Sequence, residues 1–266
     1  MQEWHSAPRQ IWSAGLKLAA LLALCVSFAQ ASELLYWEDN VLGTSVVPGA
    51  IALAGDTGVA AASDTGFDSL LTSQAWSAVI IDIADLPLTS YDSAILADLT
   101  AYVNNGGLLI GDDYYTAHVG GGDTGLTALF QATAVGINAS SITNDGTPLF
   151  NSITGNIGVF SPNWTVYDVT YTPTGTATGI GVSGAGYGII QGSYGSNGGT
   201  TFLNGPLTDA YTDLSQGQQL IANELAFAGT GSTGPPPPST PEPGTIVLLG
   251  SGFVTLAVYR RRRHCA

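Results

Sequence analysis

The 266-residue chain carries 20 Asp and Glu against six Lys and Arg, a formal charge of −14, and only 10% of its residues are charged. All six cations (Arg9, Lys17, Arg260, Arg261, Arg262 and Arg263) lie outside residues 32–240, while Glu3 and Glu242 are the only two of the 20 carboxylates outside that stretch, so the body holds 18 carboxylates and carries −18. A body without cations cannot bind nucleic acid by counterion release, form a lysine Schiff base or clamp a phosphoryl group with arginine. Both cysteines, Cys25 and Cys265, also fall in the terminal segments. The body therefore has no disulfide, thiolate nucleophile or cysteine metal site.

Residues 1–31 read as a secretory signal peptide, and hence as a substrate of the Sec export machinery. Arg9 and Lys17 form the basic part, residues 18–28 are an apolar run of 11, and Ala29, Gln30 and Ala31 make an A-x-A cleavage sequence that places the mature start at Ser32.

Residues 32–229 read as one α/β body. Residues 33–37 form a short apolar strand, 48–54 a short helix with Pro48 in its first turn, 59–62 a strand and 67–72 a helix. The apolar run 78–83 predicts a strand buried on both faces. Ser90 caps a helix over 91–104, where Ile95, Leu99, Tyr102 and Val103 keep helical spacing; Gly106 and Gly107 end it before a strand at 108–110. Strand and helix thus alternate in the first half, the pattern of a parallel sheet. A helix is expected over 125–134, capped by Asp123 or Thr124. Alternating Thr, Val and Tyr over 156–183 predict antiparallel strands, including the run 164–171. Residues 187–191 and 200–204 are two further strands, as in a hairpin, and a last helix spans 214–228, capped by Asp213.

Residues 230–240 are a linker held extended by Pro235, Pro236, Pro237 and Pro238. Beyond it come Pro241, Glu242 and Pro243, then an apolar segment over 244–259, then Arg260, Arg261, Arg262 and Arg263. The 16 apolar residues make a transmembrane helix of about 24 Å, and the arginines after it stay cytoplasmic, so the body faces outward. This three-part tail over residues 241–266 resembles the PEP-CTERM sorting signal. The resemblance implies an exosortase as partner, removal of the tail, and transfer from the inner membrane to the cell surface or exopolysaccharide matrix of a Gram-negative bacterium.

The body resembles the class I glutamine amidotransferase-like fold, a flavodoxin-like sheet, here with an antiparallel β insertion. The carrying residues are the strand 78–82, the helix after Ser90, and the step Asn105, Gly106, Gly107, Leu108, Leu109, Ile110, Gly111. Where that family has its nucleophilic Cys, this chain has Asp112 and Asp113, and the downstream His and Glu pair is missing. The resemblance therefore implies a body without amidotransferase chemistry.

His118 is the only histidine of the body. With Asp112 and Asp113 it forms a polar cluster just past a strand end, where α/β sheets place ligands. No G-x-S-x-G elbow accompanies it. The Asp-Thr-Gly triplets at Asp56, Asp64 and Asp123 are explained by helix caps and turns. Calcium suits oxygen ligands, which makes Asp112, Asp113 and Asp123 its candidate ligands. Trp164, Tyr167, Tyr171, Tyr187 and Tyr194 are the candidates for stacking on a glycan, against the simpler role of core aromatics. The expectation is an exported, non-catalytic body; the alternatives are a divergent hydrolase using Asp112, Asp113 and His118, or a calcium- or carbohydrate-binding module.

Overall fold

The computed structural model describes residues 33–85, 93–114, 124–194 and 198–231, all in the compact unit that begins at Glu33. The expected signal peptide, proline-rich linker and C-terminal helix lie outside the described residues. Among the described residues no helix is long and apolar enough to cross a membrane.

The elements run β1 (Glu33–Glu38), α1 (Val47–Ala54), β2 (Thr57–Ala60), α2 (Asp64–Leu71), β3 (Ala78–Ile83), α3 (Ser93–Asn104), β4 (Leu108–Asp113), α4 (Thr124–Leu129), β5 (Ala132–Ala139), β6 (Ser141–Ile142), β7 (Ile157–Gly158), β8 (Asp168–Pro173), β9 (Thr178–Ser183), β10 (Gly186–Tyr194), β11 (Gly199–Asn204) and α5 (Leu214–Gly231). Ser63 caps α2 by accepting from the Gly66 amide at 3.1 Å, and Asp213 accepts from Ser215 N at 2.9 Å at the start of α5.

Among the described residues one nine-stranded sheet runs in the order β2-β1-β3-β4-β11-β10-β8-β5, with β9 paired to β10. The first five strands are mutually parallel. β10, β8 and β5 continue antiparallel from β11. The parallel part has the 2-1-3-4-5 order of a doubly wound flavodoxin-like sheet, with β11 as its fifth strand. β3 and β4 are buried along their whole length, as their apolar runs require when helices cover both faces.

Strand alternation decides what each face carries. Trp37, Ile81, Gly111 and Leu203 lie side by side in register. Trp37 meets Phe67 of α2 with ring centroids 5.7 Å apart, which puts this row on the α2 and α3 face. The neighbouring row, Tyr36, Ile80, Ile110 and Phe202, faces α1 and α5, where Phe202 meets Phe227 edge-on at 5.4 Å.

Two sequence expectations change. The helix expected over 125–134 stops at Leu129, because Gln131 turns with φ 54° and residues 132–139 pair with β8. Pairing with a neighbouring strand here overrides alanine's helical preference. The alternating run 164–171 is a strand only from Asp168; Thr165 sits at φ 57°, and the chain turns between the bridged Ser161 and Val166.

Gly205, at the end of β11, lets the chain pass closely over β8. A Cβ there would lie 1.9 Å from Asp168 Oδ1 and 2.0 Å from the Val169 carbonyl oxygen. Gly205→Ala is expected to lower stability by about 3 kcal/mol or more, read as a fall in the urea midpoint; an unchanged midpoint would refute this account of the packing.

Candidate functional site

The polar centre lies one step further along the α1/α5 face. Glu38, Asp82, Asp112 and Asn204 are cross-strand neighbours on β1, β3, β4 and β11, at the carboxyl ends of four parallel strands. Asp82 and Asp112 are 1% and 2% exposed. From above, Thr208 Oγ1 reaches Glu38 Oε1 at 2.6 Å and also hydrogen-bonds Asp82 Oδ2. From α5, Glu224 accepts from Asn204 Nδ2 at 3.1 Å. Tyr211 is buried amid the charges of Glu224, Asp112, Asp168 and Asp82. Asp168 of β8 meets the Ser183 hydroxyl, which also reaches the Ser141 carbonyl at 3.1 Å. A serine has one hydrogen to give, so both contacts are satisfied when Asp168 is protonated and donates to Ser183.

No Lys, Arg or His stands among the described residues, so no cation among them offsets the burial of these acids. Burial raises Asp82 to about 7, partly offset by its hydrogen bonds with Asp112 and Thr208. Asp112 is driven well above the usual carboxylate range, first by burial and then by the charge of Asp82 beside it. The two behave as a dyad in which Asp112 keeps the proton and donates it to Asp82. Burial raises Glu224 to about 8 and Asp168 well above its ordinary value. Asp82 Oδ1, Asp112 Oδ1, Asp168 Oδ1, Asn204 Oδ1, Glu224 Oε1 and the Tyr211 hydroxyl are buried without a hydrogen-bond partner.

Of the residues singled out in the sequence, Asp112 belongs to this row. Asp113 is the next residue of β4, so its side chain points to the opposite face; its carbonyl accepts from Tyr171 Oη at 3.1 Å. The pair therefore does not converge on one ion. His118 and Asp123 lie outside the described residues, and no group of three or more His, Cys, Asp or Glu among the described residues is arranged to hold a metal. Of the five candidate aromatics for glycan stacking, one is fully buried and four are half-buried. Tyr171 is 0% exposed, Trp164, Tyr187 and Tyr194 pack against the core, and Tyr167 lies against Phe160 at 5.0 Å. Sequence reasoning missed Glu38, Asp82, Asn204, Thr208 and Glu224 as a site. A signal was present: in each of the four strands an apolar stretch gives way to a polar side chain at the last or penultimate residue.

Five parallel strands in flavodoxin-like order, extended by antiparallel strands, define a mixed α/β domain. The mmIFT52 N-terminal domain is similar in fold, with TM-score 0.50 and 9% identity over 75% of this chain and 98% of that one. A protein of Thermoplasma acidophilum described as a GMP synthase subunit has TM-score 0.47 and 12% identity, over 76% and 96% of the two chains. The carbohydrate deacetylase Agd3 aligns at TM-score 0.48 and 13% identity, over 74% of this chain and 32% of its own. No curated protein matches the chain. At the C-terminal end, residues 239–263 match the PEP-CTERM protein-sorting motif. They include Pro241, Glu242, Pro243 and the four arginines, and they make this an exosortase-sorted bacterial protein whose precursor is exported and membrane-anchored.

The raised acids set a pH dependence. Asp82 and Glu224 ionise at lower pH in the unfolded chain than in the folded one. Their contribution to stability is therefore full below about pH 4 and is lost as pH rises through about 7 for Asp82 and about 8 for Glu224. Glu224→Gln is expected to be more stabilising, or less destabilising, at pH 9 than at pH 4 by about 3–5 kcal/mol. Chemical denaturation across that range measures it, and a pH-independent difference would contradict the assignment.

Proposed function

We propose that the chain is a surface protein whose body does no chemistry and whose address is its tail. The observation that carries this is the sorting motif at residues 239–263. In this reading the segment 1–31 directs Sec export and is cut after Ala31. The helix 244–259 holds the precursor in the inner membrane until an exosortase cuts near Pro241, Glu242 and Pro243. The acidic body is then delivered to the cell surface or exopolysaccharide matrix.

Two features support a body without catalysis. The position that carries a cysteine in amidotransferase-like proteins holds Asp112 and Asp113, which are 2% and 0% exposed. In a flavodoxin-like sheet the ligand crevice opens at the carboxyl ends of strands 1 and 3. Here the chain's own Thr208 lies across that point, bonded to Glu38 of β1 and Asp82 of β3.

The test is co-expression with an exosortase and mass spectrometry of the surface fraction. The expected species begins at Ser32 and ends within 241–243. Replacing Arg260, Arg261, Arg262 and Arg263 together by alanine should leave an uncut chain in the membrane fraction. A wild-type surface species that retains the tail would overturn the reading.

A further inference from the structure

The connector from β11 to α5, residues 205–213, is unusual for a loop in being buried from Gly205 to Tyr211. It is tied down on several sides. Val46 N donates to the Thr208 carbonyl at 3.0 Å, and Phe160 N to the Ala210 carbonyl at 2.7 Å. Asp209 Oδ2 accepts from Leu42 N at 3.1 Å and Gly43 N at 2.7 Å. At its centre Thr208 bridges Glu38 and Asp82, and Asp82 is bonded in turn to Asp112.

Counting hydrogens makes this arrangement conditional. Glu38 to Thr208, Thr208 to Asp82 and Asp82 to Asp112 are three hydrogen bonds and need three hydrogens. The Thr208 hydroxyl supplies one, so two must sit on carboxyl groups. Glu38 is the most accessible of the three acids and is the natural carboxylate end. The relay then runs one way: Asp112 donates to Asp82, Asp82 to Thr208, and Thr208 to Glu38. When Asp82 loses its proton, Thr208 faces two carboxylates with one hydrogen, and a negative pair is left in a buried row. Of the groups facing Asp82, Glu38 from β1 and Asp39 after it oppose its ionisation, while the hydrogen bonds with Asp112 from β4 and Thr208 from the connector offset part of that. Ser45, before α1, bonds Glu38. Tyr211, Asp168 of β8 and Glu224 of α5 lie beyond them. Among the described residues there is no cation.

We propose that residues 205–213 form a strap held shut by the protons on Asp82 and Asp112, and that loss of the Asp82 proton lifts Thr208 and uncovers the crevice at the carboxyl ends of β1 and β3. The device lies in the body and is independent of the sorting tail.

Amide hydrogen exchange on the full chain at pH 6 and pH 9, corrected for intrinsic rates, tests it. Protection at Gly43, Val46 and Phe160 should fall at least about tenfold more than at Ile80 and Ile110 in the sheet, the mark of local opening. A parallel loss at all five sites, or none, would overturn the strap. Asp82→Asn, which keeps a neutral donor facing Thr208, should abolish the selective loss at pH 9. Thr208→Val should produce it already at pH 6, while Thr208→Ser keeps the wild-type profile. An Asp82→Asn chain that opens at pH 9 like the wild type would also refute the proposal. Should Asp82→Asn not fold, the wild-type exchange pattern and the Thr208 pair decide.

Discussion

Residues 32–240 must fold 18 carboxylates without one ammonium or guanidinium group, and the structure uses two means to do so. Acids in the connecting loops turn to backbone amides. Asp39 accepts from Ala84 N at 2.9 Å and Asp85 N at 3.0 Å. Asp145 accepts from Thr147 N and Gly181 N, both at 3.0 Å. Asp209 clamps the loop before α1 in the same way. These bonds fix loops that salt bridges fix elsewhere, and a charged acceptor makes them stronger than neutral ones. For the interior acids, Asp82, Asp112, Asp168 and Glu224, burial raises the pKa, so each holds its proton to higher pH than an exposed carboxylate would, since a buried carboxylate without a counter-charge would cost several kcal/mol.

A parallel sheet concentrates the second means in one place. All parallel strands end on the same side, so acids at the ends of β1, β3 and β4 become neighbours although more than 70 residues separate the first from the last. Asn204 on β11 closes the row with an amide rather than a fourth acid, and its Nδ2 serves Glu224. Thr208 completes the arrangement as both donor and acceptor, a combination that neither a carboxylate nor an apolar residue offers.

Much of the scaffold was legible in the sequence. β1, β3, β4 and α5 follow from apolar runs and helical spacing, because both report burial along a single segment. β5 was not legible: its alanines suit a helix, and only pairing with β8 makes it a strand. The site was read in part for a similar reason. Asp112 stood out at the end of a strand, but its partners are set by register between strands far apart in sequence, and no local pattern reports register. Asp113 looked equivalent to Asp112 until strand alternation sent it to the other face. The sorting motif was legible because order and spacing along the chain are enough to recognise it.

The cation-free body has a chemical corollary. Between residues 32 and 240 there is no side-chain primary amine. An isopeptide bond from this stretch to a matrix or wall component therefore cannot start from a lysine. For an amide link in which this stretch would supply a side chain, the amine must come from the partner and meet a carboxyl or carboxamide group of the body.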